Sequence, residues 1–269
     1  MRPEETTIAE VFKANGYATG QFGKWHLGDT WPFTSNDQGF EETVNLKCGG
    51  IGQISDFWGN DYFDDTYWHN GKKQKYEGYC TDIFFNESIR FIEESIDQDK
   101  PFFAYIATNT PHGPLYPKQE DYEVLEKLFE KSKFANQKGL KSGLVKYLSM
   151  IRNIDSNVGD LANFLDTKGV IDDTIIIFLT DNGSTMGKSY FNAGMRGMKT
   201  ELWEGGHRVP LFIKWKNGNF KEVGNEVEGL CRVTDIVPTL VELCGLKISN
   251  RSSLKGCLLY TSDAADESV

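Results

Sequence analysis

The sequence predicts an α/β fold, a mainly parallel sheet flanked by helices. Three observations predict it. Apolar runs without alternation recur at 101–107 (PFFAYIA), 174–180 (TIIIFLT) and 209–215, as expected of strands covered on both faces. Stretches with apolar residues at helical spacing separate them. The length, 269 residues, is enough to bury one sizeable core.

Taken in order, residues 6–15 predict a helix, with a threonine near its N-cap, Ile8, Val11 and Phe12 on one face, and Gly16 as the stop. Residues 17–23 predict a short strand. Residues 30–80 differ: Gly-rich and aromatic, with Asp, Asn and Tyr throughout, they read as a long ordered excursion over the sheet edge, near a site. Residues 81–96 predict a helix with Phe85, Ile89, Ile92 and Ile96 in phase, and 101–107 a buried strand. Residues 144–165 predict a long helix carrying Leu148, Ile151, Val158, Leu161 and Leu165, closed by Gly169. Strands follow at 174–180 and 209–215. A last helix spans 235–244, with Pro238 tolerated in its first turn.

Composition narrows the function. With 39% hydrophobic and 25% charged residues, the chain is neither disordered, collagenous nor coiled-coil. Lys+Arg minus Asp+Glu is 29 − 39 = −10, which argues against nucleic acid as a partner but not against a basic pocket for a small anion. No apolar run approaches the ~20 residues of a membrane span. No apolar stretch follows Met1, so no signal peptide is visible and the compartment is left open. Five cysteines show no close-pair metal spacing and fix no redox compartment.

Ligands of open α/β sheets bind beyond the carboxyl ends of the strands, so the residues after each strand are the candidates. After 17–23 come Lys24-Trp25-His26; after 101–107 come Thr108-Asn109-Thr110-Pro111-His112; after 174–180 come Asp181-Asn182-Gly183. Lys24 and His26, two apart on an extended chain, share a face, and a cation beside an imidazole suits an anionic group and a proton transfer. Asp181 and Asn182 offer oxygen ligands to a hard cation such as Ca²⁺ or Mg²⁺, and Gly183 lets the chain bend so that both can face it. His112 stands in a loop stiffened by two prolines. Lys199 lies in a Gly- and Arg-rich loop leading to the fourth strand. Each has a plainer structural reading alone; their convergence on strand ends carries the assignment. Lys24, His26, His112, Asp181, Asn182 and Lys199 are therefore expected around one pocket. His69 lacks such context and reads as a surface residue.

The segment Gly16-Tyr17-Ala18-Thr19-Gly20-Gln21-Phe22-Gly23-Lys24-Trp25-His26-Leu27-Gly28 resembles the second signature of the type I sulfatases. Thr180-Asp181-Asn182-Gly183-Ser184 resembles their metal-binding strand end. Lys199 with Glu204-Gly205-Gly206-His207-Arg208-Val209-Pro210 resembles their second lysine segment, and Asp235–Leu240 a late helix of the same domain. The likeness runs in order from about residue 5 to about 247. It implies an alkaline-phosphatase-like fold, one bound Ca²⁺ and hydrolysis of sulfate esters. It further implies Asp181 and Asn182 as metal ligands, Lys24, Lys199 and His112 on the sulfate oxygens, and His112 and Lys199 at the leaving oxygen. His26 would be the base that decomposes the sulfated intermediate.

The family's nucleophile is a formylglycine made from Cys or Ser in a Cys/Ser-x-Pro/Ala-x-Arg motif, and no cysteine or serine here has that setting. The paired N-terminal aspartates that complete the metal site are absent too. The chain thus reads as N-terminally truncated: 1–247 part of a sulfatase catalytic domain, and 248–269 the start of a C-terminal region or a non-native tail, since 257–266 resembles translated adaptor sequence. Competing readings are a phosphoryl or phosphonate hydrolase of the same superfamily and a catalytically dead anion-binding module. Asp-Asn-Gly where the phosphoryl enzymes carry Asp-His-Gly favours one metal and sulfate. The expected substrate is a sulfated small molecule, or a glycan stacked on aromatics such as Trp31, Phe57, Trp58, Tyr62, Tyr67 and Trp68.

Overall fold

In the computed structural model, residues 5–136, 138–218, 224, 226–227, 229–248, 256 and 258 are described. The tail expected at 248–269 lies, apart from 248, 256 and 258, outside the described residues.

Helix α1 (Ile8–Ala14) starts at a capping box: the Glu10 N–H donates to the Thr7 hydroxyl at 3.1 Å, and the Thr7 N–H to the Glu10 carboxylate at 2.7 Å. Strand β1 (Ala18–Lys24) follows, then β2 (Glu42–Leu46), β3 (Thr66–His69) and β4 (Lys72–Lys75). Helix α2 (Cys80–Asp97) leads to β5 (Phe102–Ala107), and helices α3 (Gln119–Glu130) and α4 (Lys138–Thr167) come next. The chain continues through β6 (Ile176–Leu179), a short α5 (Glu204–His207), β7 (Leu211–Lys214) and α6 (Ile236–Leu243).

Five strands form one sheet in the order β4-β3-β2-β1-β5. β1 pairs in parallel with both β2 and β5, whereas β2–β3 and β3–β4 are antiparallel. The sheet is therefore mixed, with a parallel centre. The stretch at 30–80 is not only an excursion: it supplies three of the five strands. The last two close on Asn70-Gly71, with φ of 47° and 75°, the geometry of a two-residue type I′ hairpin.

β6 and β7 form a separate antiparallel ribbon, where a continuation of the parallel sheet was expected. Covered on one side only by its partner, β6 is not the buried strand its sequence suggests: Phe178 and Leu179 are 39% and 40% exposed. One core packs Phe84, Phe91 and Ile92 of α2 against Phe22, Val44 and Leu46. A second packs Val11 and Phe12 of α1 against Leu240 and Val241 of α6, and a third packs Phe129 of α3 against Leu144 and Val145 of α4. Ile176 reaches the first core, and Ile175 and Ile177 the second. β5 reaches both as well, through Phe102, Ala104 and Ile106 and through Phe103, yet β5 and β6 exchange no ladder hydrogen bond.

A polar junction ties the helices together. Asp82 accepts from the amides of Asn153 and Asn157, both at 2.8 Å, and from Lys118 at 2.9 Å. Burial would push its carboxyl up, but these three donors hold it below the usual carboxylate range.

Candidate active site

Because β1, β2 and β5 run in parallel, the loops that follow them leave the same edge of the sheet. β1 ends on Lys24, and the loops after β2 and β5 begin at Lys47 and at Thr108. The segment after β6, Asp181-Asn182-Gly183, arrives at the same place. Lys24 is half-buried, and desolvation pushes its ammonium below the usual 10.5. The Asp181 carboxylate opposes that shift, the Lys199 ammonium adds to it, and Cys48 opposes it. Four side chains from four separate stretches thus share one electrostatic neighbourhood.

The histidines sit beside it. His26 holds φ of 51°, a conformation costly for a side-chain-bearing residue and often found at functional sites. Its ring lies against Gly49, where an added Cβ would be 2.8 Å from Nε2. Asn109, 3% exposed, fastens this glycine loop to the next one: its Oδ1 accepts the Ile51 N–H at 3.1 Å, and its carbonyl accepts the His112 N–H at 3.0 Å. His112 is half-buried, with its own carbonyl accepting from the Tyr62 hydroxyl at 2.8 Å. Its Nδ1 lies 2.7 Å from the Gly113 carbonyl. A carbonyl can only accept, so Nδ1 carries the proton and Nε2 is the atom left to a ligand.

The bend after Asp181 is real, but its cause is space rather than dihedral freedom. The Gly183 N–H donates to the Gly206 carbonyl at 3.0 Å, and a Cβ on Gly183 would fall on the Gly205 carbonyl oxygen. Lys199, half-buried, is carried on a tight loop closed by the Gly205 N–H on the Arg196 carbonyl at 2.8 Å, with Arg196 stacked 3.5 Å over Trp203.

The structure therefore brings Lys24, Asp181 and Lys199 together, with Asn182 next in the chain. It links His26 and His112 to each other through Gly49 and Asn109. No hydrogen bond joins those two rings to Lys24 among the described residues. The loop at 47–52 was missed by sequence reasoning because β2 itself was not read; Gly49-Gly50 after Val44 and Leu46 was the available signal. His69 is not the surface residue it was read as: half-buried, it meets the Tyr76 hydroxyl at 2.7 Å and Glu42 at 2.9 Å.

Asp181 and Asn182 have the right donor chemistry for Ca²⁺, but two side chains fall short of the ~6–8 oxygens it takes. Among the described residues, one group of three acidic or imidazole side chains comes within 4.8 Å of one another, namely Glu42, His69 and Glu87. Arg90 already bonds both of those carboxylates, so the group is an ion-pair knot. The residues present do not complete a calcium site.

An edge of cations and imidazoles thus lies where parallel strands end, the place at which α/β proteins of this class bind their ligands. The chain belongs to the Sulfatase family, whose model matches residues 2–246. It is 29% identical over 254 residues to the ulvan-active sulfatase of Formosa agariphila, covering 91% of this chain and 47% of that protein. It is 28% identical over 276 residues to human arylsulfatase A, covering 92% and 49%. The chain thus spans about half the length of the curated relatives it matches. Among solved structures, Ps i-CgsB in complex with k-i-k-neocarrahexaose superposes with a TM-score of 0.82 at 28% identity, over 95% of this chain and 57% of that one. The phosphonate monoester hydrolase SpPMH of Silicibacter pomeroyi shares the fold alone, with a TM-score of 0.63 at 17% identity. The fold is alkaline-phosphatase-like.

Proposed function

We propose that residues 1–247 are part of the catalytic domain of a sulfate-ester hydrolase, and that this chain supplies part of its sulfate and metal site but not its nucleophile. The observation that carries the reading is the Lys24–Asp181–Lys199 neighbourhood at the carboxyl edge of a Sulfatase-family chain. Two fixed ammoniums in a half-buried setting stabilise charge that develops on sulfuryl oxygens. In this reading Lys24, Lys199 and Nε2 of His112 hold the sulfate, and His112 and Lys199 steady the leaving oxygen. His26 moves a proton at its ring, and Asp181 and Asn182 contribute oxygens to a Ca²⁺ completed from outside this chain. The formylglycine nucleophile likewise comes from outside it, in the Cys/Ser-x-Pro/Ala-x-Arg motif that this sequence lacks. A sulfated glycan is the favoured substrate class, in keeping with the neocarrahexaose bound by Ps i-CgsB.

The test is calorimetric titration of the chain with inorganic sulfate. Binding is expected with Kd on the order of 1 mM, weakened about fivefold or more by Lys24→Met and by Lys199→Met, each of which removes one charged contact. The ammonium is the binding form of Lys24 and its pKa is lowered by burial. Affinity should therefore fall as pH rises, beginning below 10.5, and Lys24→Met should remove that limb. Equal affinity in wild type and both variants would overturn the site.

A companion titration concerns the metal. With two ligands supplied, Ca²⁺ should bind no more tightly than ~10⁻⁴–10⁻³ M, the weak end of protein calcium sites, and Asp181→Ala should abolish it. Tight, stoichiometric binding would mean that this chain holds the remaining ligands.

A further inference from the structure

We infer that strand β4 and the aromatic loop beside it form a docking surface for a sulfated polysaccharide, a polyanion that extends beyond the pocket. This deepens the sulfate-ester reading and rests on it for the choice of sulfate as the repeated anion.

β4 reads Lys72-Lys73-Gln74-Lys75, and all four residues are exposed. Three lysines in four positions stand out in a chain of net charge −10. Among the described residues, none of them makes an ion pair, nor does Lys47, whereas Lys13, Lys118, Lys141, Lys168 and Lys216 all do. The nearby carboxylates are turned to internal work. Asp56 accepts from Gly52 and Asn60, Asp64 from Gly78, and Asp65 from Asp61, Tyr62 and Tyr67. The ammoniums of β4 are thus left without a close ion-pair partner among the described residues.

Register orders these cations. Lys73 lies opposite Trp68, and Lys75 opposite Thr66, so these four side chains share one face. The alternate face carries Tyr67, which packs on Phe84 of α2. On the open face Lys73 Nζ sits 5.0 Å from the Phe57 ring centroid and 5.4 Å from that of Trp68, while Lys47 Nζ sits 4.1 Å from Trp68 on the other side. Lys47 precedes Cys48, the thiol that Lys24 senses. Cations therefore run from the edge of the pocket, across Trp68, to the rim of the sheet. Trp58, next in the chain to Phe57, is 96% exposed, and an exposed indole offers a flat apolar face to a sugar ring. Of the aromatics considered from sequence, Tyr62 and Tyr67 are core; Trp31, Phe57 and Trp58 are exposed, and of these Phe57 is the one that Lys73 of β4 meets.

The experiment uses the full chain with dextran sulfate, unsulfated dextran and single-stranded DNA as probes. Dextran sulfate is expected to bind, more weakly as salt is raised, and dextran is not. Lys73→Gln combined with Lys75→Gln, both exposed, should weaken dextran sulfate about five- to tenfold, the scale of removing two unscreened contacts, without changing the affinity for inorganic sulfate. Trp58→Ala should weaken it too, whereas Lys24→Met should spare most polymer binding. Loss of inorganic-sulfate binding with polymer binding intact would strike the active-site reading and leave this surface standing. Unchanged dextran sulfate affinity in the double variant overturns the inference, as does single-stranded DNA bound equally tightly.

Discussion

An aryl sulfate incubated with this chain is expected to remain intact. In the proposed reading the pocket keeps groups to hold an anion, Lys24, Lys199 and His112, and one to move a proton, His26. Covalent catalysis, however, splits one hard step into two and requires an activated nucleophile. No cysteine or serine here stands in the formylglycine setting. Electrostatic and binding groups alone leave a residual rate on the order of 10³–10⁴ over water in the serine-protease precedent, which is far below detection for so slow a spontaneous hydrolysis. The measurement is release of the phenol from 4-nitrocatechol sulfate, with Lys24→Met and His112→Ala as controls. Robust turnover abolished by either substitution would show that the chain carries its own nucleophile.

Replacing Gly23 by alanine should destabilise the protein by about 3–5 kcal/mol, the upper range for single substitutions. Gly23 holds φ of 103° and pairs in register with Ala107 on β5. A Cβ there would fall on the Ala107 carbonyl oxygen, so backbone must move where β1 meets β5. The strained dihedral adds on the order of 1–3 kcal/mol by itself. At ~2–4 °C per kcal/mol for a chain of this size, the melting temperature should drop by roughly 6–20 °C. Lys24 is the next residue, so sulfate affinity should fall as well. Gly16→Ala is the control: its φ is 84° with nothing within 4 Å, so it bears the dihedral cost alone. Equal melting of the two variants would refute the steric argument.

Helical periodicity was legible for α1, α2, α4 and α6, whereas α3, Gln119–Glu130, went unread. The helix read at 81–96 is α2, Cys80–Asp97, because Ile92 and its neighbours lie on a face that a sheet must cover. Apolar runs were legible as strands but not in their direction, since a continuous run looks the same in a parallel sheet and in an antiparallel ribbon. That is why β6 and β7 were placed wrongly. β3 and β4 were hidden for a different reason. Each has four residues, and β4 is an edge strand whose exposed lysines carry no hydrophobic signal. Asn70-Gly71 was the single local cue to the hairpin. For the candidate site, the rule of strand ends pointed to Lys24, His112 and Asp181, which lie at or beyond the ends of β1, β5 and β6. It passed over Cys48, Gly49 and Gly50, because they follow the strand that went unread.

The missing ladder between β5 and β6 has a consequence for the pocket in time rather than in space. Opening free energies differ across a protein, and small units with few bonds detach before the whole unfolds. β1 is bonded along both sides and shares the fate of the entire sheet. Among the described residues the β6–β7 ribbon shares no ladder hydrogen bond with that sheet, and Asp181, Asn182 and Lys199 all lie on the segment between its two strands. Each time the ribbon lifts, the Lys24 ammonium loses its carboxylate and its companion cation together. The proposed anion pocket is therefore expected to be intermittent, its occupancy scaled by the fraction of time the ribbon is seated, and whatever clamps β6 to β5 would raise affinity without touching the ligand.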